Sequence, residues 1–78
     1  MKNIQNKIIS IIAKQFQKKE KEISLKDSFL NNFKADSLDF VELIMLIEDE
    51  FKIEVIDIDF NNIKTVEQFI NIITKLIK

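Results

Sequence analysis

Near the start of the chain, Ile4, Ile8, Ile11, Ile12 and Phe16 recur at three- and four-residue spacing and fall within about 160° of arc. Asn6, Lys7, Ser10, Lys14 and Gln17 face the other way. This pattern predicts an amphipathic helix over residues 3–17. The run Gln17-Lys18-Lys19-Glu20-Lys21-Glu22 then loses periodicity and is too charged to be buried, so it opens a long connection that reaches Asp36. Its lysines are read as a solvated loop in preference to a membrane or nucleic-acid patch. Ile23, Leu25, Phe29, Leu30 and Phe33 are too apolar for a free loop, so the connection is expected to lie across the helix ends and add to the core. Ser28 or Asp27 is positioned to cap a short turn within it.

The next periodic stretch opens at Asp36, a good N-cap with Asp39 three residues on, and runs to Phe51 without Gly, Pro or a turn cluster. At 100° per residue, Phe40, Leu43, Ile44, Ile47 and Phe51 share one arc of about 100°, which is the core face. Leu38, Val41 and Met45 form a second apolar stripe, bordered by Glu42, Glu48 and Asp49. An apolar strip with a charged rim suits a partner-docking surface, the strip supplying desolvation and the rim orientation. The same stripe is also compatible with burial against another part of this small domain.

After Phe51, residues 52–56 alternate, but no second strand exists to pair with them, so they are read as an extended connector. Asp57 is expected to cap a short helix over 57–62. Thr65-Val66-Glu67-Gln68 has the form of a capping box opening a last helix, in which Val66, Phe69, Ile70, Ile72, Ile73, Leu76 and Ile77 share a face. The predicted fold is therefore all-α: a small four-helix bundle of three main helices plus one short third helix, with a long first crossover loop. Residues 1–78 read as a single domain.

Composition narrows the chemistry. The 78 residues allow one modest core, for which sixteen Ile and seven Phe supply the burial. There is no Cys and no His, which removes disulfides, Cys–His and Ser–His nucleophiles and most zinc sites, so an autonomous enzyme is not expected. Net charge is −1 but segregated: residues 1–34 carry eight Lys against three acids, and residues 35–60 one Lys against nine acids. An acidic middle points to basic protein partners and away from nucleic acid. No stretch resembles a signal peptide or reaches membrane-spanning length, so a cytoplasmic, monomeric protein is expected.

Asp57, Asp59 and Asn61 imitate the start of an EF-hand loop, but Asn62, Lys64 and Gln68 stand where its Gly, apolar residue and bidentate Glu belong, so no specific metal site is assigned. The carboxylates of Asp36 and Asp39 suit at most loose binding of magnesium or calcium. Ser37, the one hydroxyl in the acidic helix, has no base with which to act as a nucleophile.

Ala35-Asp36-Ser37-Leu38-Asp39, followed by Val41-Glu42-Leu43 and Glu48-Asp49-Glu50-Phe51, resembles the acyl carrier proteins, and the resemblance covers nearly the whole chain. It implies a 4′-phosphopantetheine arm joined by a phosphodiester to Ser37, flanked by Asp36 and Leu38 and loaded from coenzyme A by a phosphopantetheinyl transferase. It also implies docking of fatty acid synthesis enzymes, through basic surfaces, on Leu38, Asp39, Val41, Glu42, Met45, Glu48 and Asp49. The implied function is carriage of growing fatty acyl chains as thioesters. Carriers of polyketide, peptidyl or D-alanyl groups share the pattern, and an unmodified helical interaction module needs only the exposed stripe. An acyl-chain pocket is expected among Phe29, Leu30, Ile47, Val55, Ile63 and Phe69, with Phe60 limiting its size. The sequence departs from the family at Lys34, where Gly is usual, at Ile56, where Pro is common, and at the bulky Phe60. Loss of Gly removes easy access to positive φ, so a different path for the loop into Asp36 is expected.

Overall fold

A computed structural model describes residues 2–55 and 62–77. The expected short helix over 57–62, Ile56 and Phe60 fall wholly or largely outside them. Three helices form: α1 (Lys2–Phe16), α2 (Ser37–Phe51) and α3 (Val66–Ile77), with a 3₁₀ turn at Glu20–Glu22. Among the described residues there is no strand, only an isolated bridge between Ser28 and Thr65. The small all-α bundle is thus as the periodicity predicts.

Two helix starts and two helix ends have an identifiable cause. At the start of α2, Asp36 Oδ1 accepts from the Asp39 N–H at 2.9 Å and Asp39 Oδ2 accepts from the Asp36 N–H at 3.3 Å, a reciprocal capping box. At the start of α3, Thr65 Oγ1 accepts from the Gln68 N–H, while Gln68 Oε1 accepts from the N–H groups of Lys64 and Thr65. α1 ends in a Schellman motif, with the Lys18 N–H on the Ala13 carbonyl at 2.9 Å and the Gln17 N–H on the Lys14 carbonyl at 3.4 Å. α2 ends at Lys52 in the left-handed conformation.

Gln15–Glu42 and Lys7–Glu50 contacts run α1 and α2 antiparallel. Ile8 and Ile12 of α1, Phe40, Leu43 and Ile47 of α2, and Val66, Phe69, Ile70 and Ile73 of α3 meet in one core. The crossover adds Ile23, Phe29 and Phe33, as expected of its apolar residues, and it is sewn to α3 through the backbone. The Asp27 and Leu25 carbonyls accept from the Val66 and Glu67 N–H groups, two donors that no helix can satisfy internally, and the Lys64 carbonyl accepts from the Phe29 N–H. One apolar expectation does not hold. Leu30 is 64% exposed, because the turn closed by the Asn32 N–H on the Ser28 carbonyl sends Phe29 inward and its neighbour outward. Leu76 shares the α3 face but is 41% exposed, in the last turn of that helix.

The chain contains no Gly, yet Gln17, Lys34 and Lys52 adopt φ of 56°, 55° and 58°. The different loop path expected from Lys34 does not arise through avoidance of positive φ: Lys34 takes it, with the Ala35 N–H held on the Phe29 carbonyl at 2.9 Å. A side chain in this region costs about 1–2 kcal/mol, partly offset by the greater entropy that Gly gives the unfolded chain. Lys34→Gly is expected to stabilise the protein by about 0.5–1 kcal/mol, raising Tm by about 2–8 °C. A thermal melt that fell instead would show that the Lys34 side chain contributes more than its backbone strain removes.

Candidate functional site

Ser37 occupies the first turn of α2 and is exposed, directly after the Asp36 cap. Asp36 and Asp39 are each engaged by the other's backbone N–H, so the two carboxylates beside Ser37 serve the helix start. The first-turn N–H groups and the positive end of the helix dipole lie at this end, where an added anion is stabilised by up to about 1 kcal/mol at an exposed site. Among the described residues no group of three or more potential metal ligands clusters.

The stripe predicted to look away from the core does so: Leu38, Val41 and Met45 are 65%, 52% and 61% exposed. Leu46, at 43%, is also exposed, but on the helical wheel it lies on the far side of Glu42 from the stripe, between Glu42 and the core arc, where the angle alone marks it as peripheral. Together with Met45, Glu48 and Asp49 it lines a shallow depression. The rim is less uniform than the sequence suggests. Glu42 and Asp49 are exposed, and Glu42 Oε1 accepts from Gln15 Nε2 at 2.9 Å. Glu48 is half-buried, and its Oε2 accepts from the Val55 N–H at 2.8 Å, so it is tied inward as well as facing the rim.

A groove of about 350 Å³ begins at Ser37 and is lined by Phe40, Val41, Ile44, Met45, Glu48 and Val55. Of the residues expected around an acyl chain, only Val55 lines it. Phe29, Ile47, Ile63 and Phe69 are buried against one another and the rest of the core, and Leu30 faces solvent. The inward face of α2 is spent on packing, so the open space lies along its flank, under the connector that follows the helix. Phe60 lies outside the described residues. An exposed hydroxyl at a helix start, opening onto an apolar groove, fits a covalently attached, flexible arm.

A family model described as a phosphopantetheine attachment site matches residues 6–73. Among solved structures, the apo doublet acyl carrier protein from prodigiosin biosynthesis superposes with a TM-score of 0.77 at 16% identity. The match covers 95% of this chain but only 36% of that one, so the chain spans about a third of that protein's length and shares its fold.

Proposed function

Because the chain belongs to the phosphopantetheine-attachment family and is a non-catalytic carrier with a covalent 4′-phosphopantetheine, we propose that the arm sits on Ser37 and that its cargo is the growing acyl chain of fatty acid synthesis. The arm supplies a thiol on which acyl groups ride as thioesters. The observation that carries the reading is the exposed Ser37 hydroxyl at the capped start of α2 and the mouth of the groove. With no His or Cys in the chain, the group that deprotonates Ser37 belongs to the phosphopantetheinyl transferase that loads it.

Partner enzymes dock on Leu38, Val41 and Met45, which lose their water shell, while Glu42 and Asp49 orient basic residues opposite and speed association. Asp36 before the serine and the density of acids on α2 favour acyl over peptidyl cargo. Phe40, Val41, Ile44, Met45 and Val55 offer part of that cargo an apolar surface, worth about 0.8 kcal/mol for each methylene fully removed from water. Loading and docking take place in the cytoplasm on a monomer. The intact mass of the protein from its native source tests the pathway. Saturated and 3-hydroxyacyl chains of graded length on the arm are the expected species. Aminoacyl or D-alanyl groups would replace the fatty acid reading with another carrier, and a bare chain would leave only an interaction module.

A further inference from the structure

Four depressions run across α2 and α1 and share lining residues one to the next. The groove at Ser37 shares Met45 and Glu48 with the shallow depression on α2, which shares Leu46 and Asp49 with a cleft between the helices at Ile11, Lys14 and Glu50. Lys14 in turn belongs to a fourth, of about 630 Å³, walled by Lys18, Lys19 and Lys21. The surface that begins at Ser37 is therefore continuous across α1, and its charge changes sign on the way. At the seam the polar groups are matched, Lys7 pairing with Glu50 and Gln15 donating to Glu42. Beyond it they are not. Among the described residues Lys14, Lys18, Lys19 and Lys21 are exposed and none makes an ion pair, and Glu20 is the one acid in the wall of the depression. The backbone builds this end: Gln17, at φ of 56°, turns the chain so that the Lys18 N–H meets the Ala13 carbonyl, and the lysines that follow stand over a helix turn in which Ala13 is buried.

We propose that the docking surface is bipolar: a partner enzyme that sets basic residues against Glu42 and Asp49 also sets an acidic patch against Lys14, Lys18, Lys19 and Lys21. This rests on the reading of α2 as the docking helix and extends it across α1. Charges are screened over about 8 Å at physiological ionic strength, so a partner meets the two poles separately and they do not cancel into the net charge of −1. One pole attracts; two opposite poles also fix the rotation of the carrier on its partner, and the second repels a surface that is basic throughout. An acidic protein surface fits the lysines better than a compact phosphate does. The N–H groups of Lys18, Lys19, Glu22 and Ile23 are already bonded within the turn, Glu20 stands among the lysines, and lysine offers point charges without the fork that grips phosphate. It also fits better than a bilayer: none of the large exposed apolar side chains lines this depression, and the nine acids of residues 35–60 oppose an anionic membrane.

The direction of one rate change tests it. Stopped-flow association at low salt is followed between the arm-free protein and the phosphopantetheinyl transferase of its own source, the partner that must dock before any arm is present. Lys18→Glu/Lys21→Glu makes the carrier more acidic at two exposed positions that carry no structural ion pair. A partner that is basic throughout would capture this variant faster than the wild type. The bipolar partner should capture it about five- to tenfold more slowly, with Lys18→Gln/Lys21→Gln in between and the differences shrinking as salt rises. Equal or faster association of the Glu variant would overturn the second pole. Glu42→Lys, measured beside it, should also slow association; no change there rejects docking on α2 and leaves the lysine rates to decide the second pole. Unchanged transferase rates, with wild-type binding to phosphatidylcholine–phosphatidylglycerol vesicles lost in the Glu variant, would assign the lysines to a membrane instead. A wild type that self-associates in sedimentation and is dispersed by the same substitutions would assign them to the acidic helix of a second copy, and either result overturns the proposal.

Discussion

Phe29→Ala is expected to cost about 3–5 kcal/mol of stability, a large part of what a domain of this size holds in reserve. Phe29 is 1% exposed, and its ring lies 5.7 Å from those of Phe33 and Phe69, 6.1 Å from Phe40 and 6.3 Å from Phe16. It therefore joins the crossover to all three helices at once. Truncation leaves a cavity that cannot collapse without moving three elements, while the backbone bonds to Lys64 and Ala35 remain available. Leu30→Ala, one residue on, should cost less than about 0.5 kcal/mol, because its side chain is already in water. Urea unfolding followed by circular dichroism checks the pair. Similar midpoints for the two variants would mean that the aromatic cluster is not the keystone of the core.

That contrast also shows how far the sequence is readable. Helical periodicity identifies α1, α2 and α3 because each buries one stripe, and Asp36 with Asp39 and Thr65 with Gln68 mark two starts by local side-chain chemistry. The outward stripe of Leu38, Val41 and Met45 is equally local, since it follows from angle on one helix. Leu30 is misread because composition says that the crossover is buried but not which side of each turn faces inward. The groove that opens at Ser37 is not legible in the sequence for a related reason. Its walls depend on where the connector returns to α2, and that is fixed by Glu48 reaching Val55, a contact that no periodicity encodes. Likewise, Lys34 at positive φ runs against its own preference, and only the surrounding bonds hold it there.

Ser37→Ala is expected to abolish arm attachment while leaving the fold almost unchanged. The hydroxyl is exposed, and the cap of α2 is supplied by Asp36 and Asp39, so its loss removes no structural bond given by the geometry of the helix start. An alanine has no oxygen through which a phosphodiester can form. The most direct measurement is the location of the arm after wild-type protein is incubated with coenzyme A, magnesium and a phosphopantetheinyl transferase, then cleaved after lysine and weighed. The peptide of residues 35–52 contains one hydroxyl side chain, that of Ser37. The account predicts one arm per chain, on that peptide, and none on Ser37→Ala. An arm on a peptide bearing Ser10, Ser24, Ser28 or Thr65, or on the alanine variant, would contradict it.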